Sequence, residues 1–275
     1  MPKQASIGVF DSGYGGLSIL KELIRQLPDY DYTYLGDNAR APYGTRSFET
    51  VYRYTWQAVD WFFEQGCPLV ILACNTASAK ALRSIQQQKL PQSHPANRVL
   101  GVIRPSTEAA GEWTKSGRLG ILATAGTVAS LSYPIEIAHF YPQIKVFQQA
   151  CPMWVPLVEN NEFNNPGADY FIQQCLDKLL QQDPQIDSVL LACTHYPLLE
   201  AGIRKFLPPG IRLISQGPLI AQSLREYLGR HPEMEQRLSR KGSRQFFTTD
   251  STEDFDSHAP VFFGQHISSA HVQLD

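Results

Sequence analysis

The chain has no unbroken apolar run of about 18 residues, the length a membrane-crossing helix needs, although 43% of its 275 residues are hydrophobic. No membrane anchor is expected, and the apolar content is available for a sizeable core. Positive charge is not in excess either: 24 Lys and Arg against 26 Asp and Glu leave a formal net charge of −2. Without a basic field, nucleic acid is not an expected partner. Charged residues are only 18% of the chain, but no long stretch has the composition of a disordered region. The opening "MPKQASIGVFDSG" runs straight into a strand-like segment. It lacks the apolar stretch and cleavage site of a signal peptide, so a soluble, cytoplasmic protein is expected. CxxC pairs and zinc-type Cys/His spacings are missing, and the cysteines are odd in number: Cys67, Cys74, Cys151, Cys175 and Cys193. Neither a metal site nor a disulfide framework is expected. The plainest role for any one of these thiols is that of a small buried hydrophobe.

What the chain does have is alternation. Short apolar runs at 6–10, 32–36, 69–73, 98–103, 118–122, 144–148, 188–192, 211–214 and 245–249 read as strands. Segments of helical period lie between them. The clearest is 47–64, where Phe48, Val51, Tyr52, Thr55, Val59, Phe62 and Phe63 recur at three- and four-residue steps, with Ser47 placed to cap its start. A second spans 168–182. Strand–helix alternation on this scale predicts an α/β fold with parallel sheets covered by helices. Breaks rich in Pro and polar residues fall at 88–97 and 206–211. The segment from "STEDFDSHAP" onward reads as a polar, irregular tail lying on the surface.

One phrase occurs twice. "LVILACNTAS" at 69–78 and "SVLLACTHYP" at 188–197 both end an apolar run in Ala-Cys and turn polar at once; positions 74 and 193 differ by 119. The repeat predicts two similar α/β halves, each with one such strand. Ligands of these folds bind outside the carboxyl ends of the strands. The residues standing there include Asp11, Ser12, Asp37, Cys74, Asn75, Thr76, Arg104, Ser106, Thr124, Cys193, Thr194 and His195.

A thiol is useful as its thiolate, which a helix N-terminus or a nearby cation favours. A Cys-x5-Arg phosphatase would need Arg where Lys80 stands, and a papain-like hydrolase would leave the second thiol idle. A redox pair remains open and predicts a reversible Cys74–Cys193 disulfide. Two bases facing across a gap offer another chemistry. One removes the proton from an acidic carbon, and the other delivers a proton to the opposite face. The carbon is inverted, and the reverse reaction exchanges the roles. His195 could relay protons for Cys193, or be a packed histidine; Asp11 could assist, or cap a helix. The "GYGG" turn is not a dinucleotide fingerprint, because Ser18 stands where that pattern needs glycine; its glycines serve a tight turn and a close backbone approach.

At these residues the sequence resembles the glutamate racemases of the aspartate/glutamate racemase superfamily. The matching stretches are "IGVFDSGYGGLSIL" (7–20), "YLGDNARAPYG" (34–44), "ILACNTASA" (71–79), "CPMWVPLVE" (151–159) and "LLACTHYPLL" (190–199), in the family's order over most of the chain. The resemblance implies proton transfer at Cα of L- and D-glutamate with no cofactor, neither pyridoxal phosphate nor metal, and D-glutamate supply to peptidoglycan synthesis. It implies Cys74 and Cys193 as the acid/base thiols, Cys193 acting on L-glutamate and Cys74 on D-glutamate. Asp11 would assist Cys74, and His195 and Glu159 would assist Cys193. Asp11, Ser12, Pro42, Tyr43, Gly44, Asn75, Thr76, Thr124, Thr194 and His195 would contact substrate. It also implies two pseudo-symmetric domains, 1–97 with 211–275 and 98–210, closing over a cleft, and a homodimer. "VIRPST" at 102–107, "GILATAGT" at 120–127 and the Asn-rich stretch after Glu159 depart from the family's usual wording. Racemisation of another small acid such as aspartate, or a binding role such as gyrase inhibition, are the competing functions.

Overall fold

The structure, a computed structural model, describes residues 5–274. Its strands are β1 (Ile7–Asp11), β2 (Tyr32–Gly36), β3 (Leu69–Leu72), β4 (Arg98–Gly101), β5 (Arg118–Ala123), β6 (Lys145–Ala150), β7 (Ser188–Ala192), β8 (Arg212–Ser215), β9 (Arg244–Thr248) and β10 (Ser269–His271). They form one sheet in the order β10-β9-β2-β1-β3-β4 and a second in the order β6-β5-β7-β8. Every ladder is parallel. Helices cover such sheets, so their central strands are shielded on both faces; β1, β2, β3 and β7 are buried at every position.

The two halves share one plan. In β2-β1-β3-β4 and in β6-β5-β7-β8 the first strand in sequence lies inside, the next joins it on one side and the third on the other. The direction of winding therefore reverses between β1 and β3, and again between β5 and β7. Such a reversal opens a crevice at the carboxyl ends of the strands. β3 leads into Cys74 and β7 into Cys193, so both thiols stand at the reversal of their own sheet.

The chain changes sheets later than the breaks at 97/98 and 210/211 implied. The strand at 98–101 pairs with β3 and the strand at 212–215 pairs with β7. Those Pro-rich breaks end a helix on the way into a strand; the crossing follows the strand, after its ladder is complete.

The helix expected over 47–64 runs Phe48–Glu64, with the Ser47 side chain accepting from the Thr50 N–H. The one expected over 168–182 starts earlier, at Pro166, because Asn165 caps it and accepts from the Ala168 N–H. The C-terminal segment is not an irregular tail. Thr252–Phe263 is a helix capped by Ser251, and β10 extends the first sheet. Phe255, Ala259 and Phe262 are buried. Their steps of four and three make one helical face, which the polar residues between them hide in a composition reading. Among the described residues no helix is long and apolar enough to cross a membrane.

Candidate active site

The turns that follow β1, β3, β5 and β7 converge on one cavity between the two sheets. It contains about 830 Å³ of atom-free space, the open solvent at its mouth included. Cys74 and Cys193 both line it, together with Ser12, Pro42, Tyr43, Gly44, Asn75, Thr76, Thr124, Glu159, Thr194 and His195. Of the residues expected at the site, Asp11 alone is not on the wall; it lies behind it, 1% exposed.

Cys74 caps the helix Asn75–Lys80, its sulfur accepting from the Ala77 N–H at 3.4 Å. Ser12 Oγ is 3.4 Å from the same sulfur. Burial pushes this thiol up to about 12, and the Asp11 carboxyl pushes the same way, against Ser12 and the Ala77 N–H. Cys74 is therefore held as S–H, a proton donor facing the cavity.

Cys193 is placed differently. No helix starts immediately after it, although its sequence phrase matches that of Cys74. Two residues intervene before the 3₁₀ turn Tyr196–Leu199, and the α-helix Glu200–Phe206 comes later still. The partner of its sulfur is a side chain: His195 Nδ1 lies 3.9 Å from Cys193 Sγ, and His195 Nε2 lies 3.0 Å from Glu159 Oε1. Burial opposes a charge on this imidazole, but the hydrogen bonds to Cys193 and Glu159 outweigh it and raise the ring to about 10. His195 is thus an imidazolium near neutrality, beside the sulfur and paired with a carboxylate.

The close approach expected of the glycine turn is between Gly15 and the second thiol's loop. A Cβ at Gly15 would overlap Thr194 Oγ1 and stand 2.5 Å from His195 Nδ1. The helix Gly16–Gln26 starts directly after it. Gly15, the residue before that helix, gives it no side-chain cap, and the N–H of its first residue, Gly16, favours the charged Asp11 carboxyl. Asp11 Oδ2 accepts from the Gly13 N–H at 3.1 Å, and Oδ1 has no partner in hydrogen-bond geometry. Burial raises Asp11 to about 6, while the charge of His195 and nearby backbone N–H groups hold it down.

One wall is the loop Pro42-Tyr43-Gly44. Tyr43 donates to Asp37, which also accepts from Arg40 Nε at 2.7 Å and from Thr249 Oγ1 at 2.9 Å. Asp37 is fully buried, and it braces this loop. The Gly126 N–H donates to Gly44 O at 2.8 Å, joining the loop to the second half. Thr76 Oγ1 and Thr124 Oγ1 meet at 3.0 Å across the same boundary.

No Lys or Arg lines the cavity among the described residues. Apart from His195, which is paired with Glu159, the donors on the wall are neutral hydroxyl, amide and backbone N–H groups, which can orient an anion without leaving an unpaired cation buried when the site is empty. Among the described residues no group of three or more His, Cys, Asp or Glu is arranged to hold a metal ion. Sequence reading gave no wall role to Ala41, Thr45, Ala125, Cys151, Pro152, Val155 or Pro156. The stretch "CPMWVPLVE" contributes Glu159 to the expected site; that helix Trp154–Glu159 also lays Val155 and Pro156 along the cavity is a matter of packing.

The chain matches the Asp/Glu/Hydantoin racemase family over residues 7–224. It is 36% identical over 269 residues to the glutamate racemase of Streptococcus gordonii, covering 98% of each chain. The crystal structure of a glutamate racemase isoform from Bacillus anthracis superposes with a TM-score of 0.89 at 36% identity, over 99% of this chain and 98% of that one. That of the Francisella tularensis glutamate racemase, in complex with D-glutamate, gives 0.87 at 29% identity over 100% and 99%.

Proposed function

The chain belongs to the Asp/Glu/Hydantoin racemase family and is an amino-acid racemase, and from that premise we propose that it interconverts L- and D-glutamate by passing the α-proton between Cys193 and Cys74. The observation that carries this reading is the presence of both thiols on the wall of one cavity, each at the reversal point of its own sheet.

Cys193 takes the α-proton of L-glutamate, and Cys74 delivers its own S–H proton to the opposite face. The inverted product leaves Cys74 without its proton and Cys193 carrying one, the arrangement that runs the reverse reaction. Glu159 and His195 set the charge beside Cys193, and Asp11 tunes the field at Cys74. Ser12, Asn75, Thr76, Thr124 and Thr194 supply neutral donors for the carboxylate that carries charge as the proton leaves. The loop Pro42-Tyr43-Gly44 receives the distal carboxylate. No cofactor takes part, and the D-glutamate formed supplies peptidoglycan synthesis.

The test is incubation with L-glutamate in D2O without added cofactor. Optical activity should decay while deuterium enters Cα. Cys74→Ser and Cys193→Ser should each lower racemisation by about 10²–10⁴-fold, the contribution of a positioned acid or base. Full activity in both variants would falsify the assignment, and turnover of L-aspartate in place of L-glutamate would move the specificity.

A further inference from the structure

Asn75 follows Cys74 directly, and its side chain is tied into a closed ring with two residues that the proposed reaction does not use. Asn75 Nδ2 donates to Gln216 Oε1 at 2.8 Å. Gln216 Nε2 donates to the Tyr133 hydroxyl at 2.8 Å. The Tyr133 hydroxyl donates to Asn75 Oδ1 at 2.6 Å, which closes the ring. All three side chains are buried. Gln216 is anchored from outside as well, donating to Ser106 Oγ at 2.7 Å.

The ring runs head to tail, and Val102 O, which accepts from Gln216 Nε2 at 3.3 Å, fixes its sense. Turning either amide over would set a donor against a donor or an acceptor against an acceptor. Its members come from three places. Asn75 starts the helix after β3 in the first half, Tyr133 sits on the helix Ser132–Phe140 in the second, and Gln216 follows β8 where the chain crosses back. The ring therefore joins the two halves at the residue next to one thiol. Three hydrogen bonds in a dry site resist shear between the halves more than the same bonds would in water. Each member uses the donor and acceptor it needs for the ring, and Asn75 keeps one amide hydrogen and one lone pair for a ligand.

We propose that Tyr133 and Gln216 are positioning residues that act through Asn75 to hold Cys74 in line with the α-carbon, opposite Cys193. This rests on the two-thiol reading above. Cys193 follows β7 in the second sheet and makes no hydrogen bond to the ring, although Tyr133 lies near enough to feel its charge. Loosening the ring should therefore impair the proton delivery by Cys74 more than the proton removal by Cys193.

The experiment uses Tyr133→Phe and Gln216→Met in D2O with L-glutamate, scoring deuterated D-glutamate against deuterated L-glutamate at early times. In the native protein Cys193 removes the proton and Cys74 supplies deuterium, so the label appears in D-glutamate. With Cys74 out of line, the proton on Cys193 exchanges with solvent and deuterium returns to the same face, so the label appears in L-glutamate. Racemisation should fall about 10–100-fold, the cost of a displacement near 1 Å, and the share of label in L-glutamate should rise. Because both residues serve one ring, the double variant should be little worse than the poorer single one. Ser188→Ala, which removes a buried hydrogen bond to Trp113 O at the far end of β7, gives the effect of lost stability alone and should leave the label ratio native. Native label ratios in both ring variants would overturn the proposal, as would failure of both to fold where Ser188→Ala folds, since the ring would then be purely structural. If the native protein itself does not exchange the α-proton, it is the two-thiol reading that fails.

Discussion

The His195 ring joins a carboxylate to a thiol: Nε2 is 3.0 Å from Glu159 Oε1, and Nδ1 is 3.9 Å from Cys193 Sγ. Glu159 and His195 are 36 residues apart in the chain. The hydrogen bond to Cys193 and, after it, the Glu159 carboxylate keep the imidazole charged where burial alone would neutralise it. We predict that Glu159→Gln brings the titration of His195 down from about 10 toward its ordinary value and lowers turnover by about tenfold or more. NMR titration of the ring checks the first part; an unmoved titration would remove Glu159 from the relay. A histidine whose pKa rises on folding stabilises the fold fully below its unfolded value. Its contribution is lost as pH climbs from 6.5 through about 10. His195→Asn should flatten the stability profile in that window.

Asp11 should govern the acid side of the activity profile. Its carboxyl titrates at about 6 because burial disfavours its charge. As pH falls below that value Asp11 takes up a proton, and kcat/KM, which reports the free enzyme, should fall with it. Asp11→Asn should lower activity and abolish this limb. A limb unchanged in the variant would assign it to another group. For stability the sign is opposite to that of a paired surface carboxylate. The raised pKa makes Asp11 favour folding below 3.8, and that contribution is lost as pH rises through about 6.

Gly15→Ala tests the close packing of the first turn against the second thiol's loop. The added methyl would overlap Thr194 and His195, so one side must move. We expect about 1–3 kcal/mol of destabilisation, with a loss of activity larger than that of an equally destabilised core variant. Denaturant titration and assay at one temperature separate the two effects. A variant with native activity would show that the turn yields without disturbing His195.

The C-terminal helix should be required for stability and for the site. Phe255 is fully buried, and Phe262 meets the His195 ring edge-on at 5.3 Å. Phe255→Ala should cost about 3–5 kcal/mol, as for a core Phe. Phe262→Ala should in addition broaden or shift the His195 resonances. Silence in both measurements would return this segment to the status of a surface tail.

Much of this architecture could be read from the chain because it is local. Apolar runs specify strands and three- and four-residue steps specify helices, and both signals lie within a few residues. All nine expected strand segments carry a strand; β10, three residues long, carried too little pattern to stand out. The C-terminal helix was masked because its buried face shares the segment with Asp254, Asp256, Ser257 and His258. The crossing points were misplaced by one strand each, because a Pro-rich break marks where an element ends and says nothing about which ladder the next strand joins.

Sequence alone determined the alternation, the duplicated Ala-Cys strand ends and the residue types that crowd around them, because backbone geometry and solvent avoidance act along the chain. Only the tertiary structure decided that Glu159 meets His195, that Asp11 stands behind the wall, and that Tyr133 and Gln216 close a ring on Asn75. Those relations are made between residues distant in the chain. A hydrogen bond depends on distances of a few tenths of an ångström, and packing of the two sheets sets those distances.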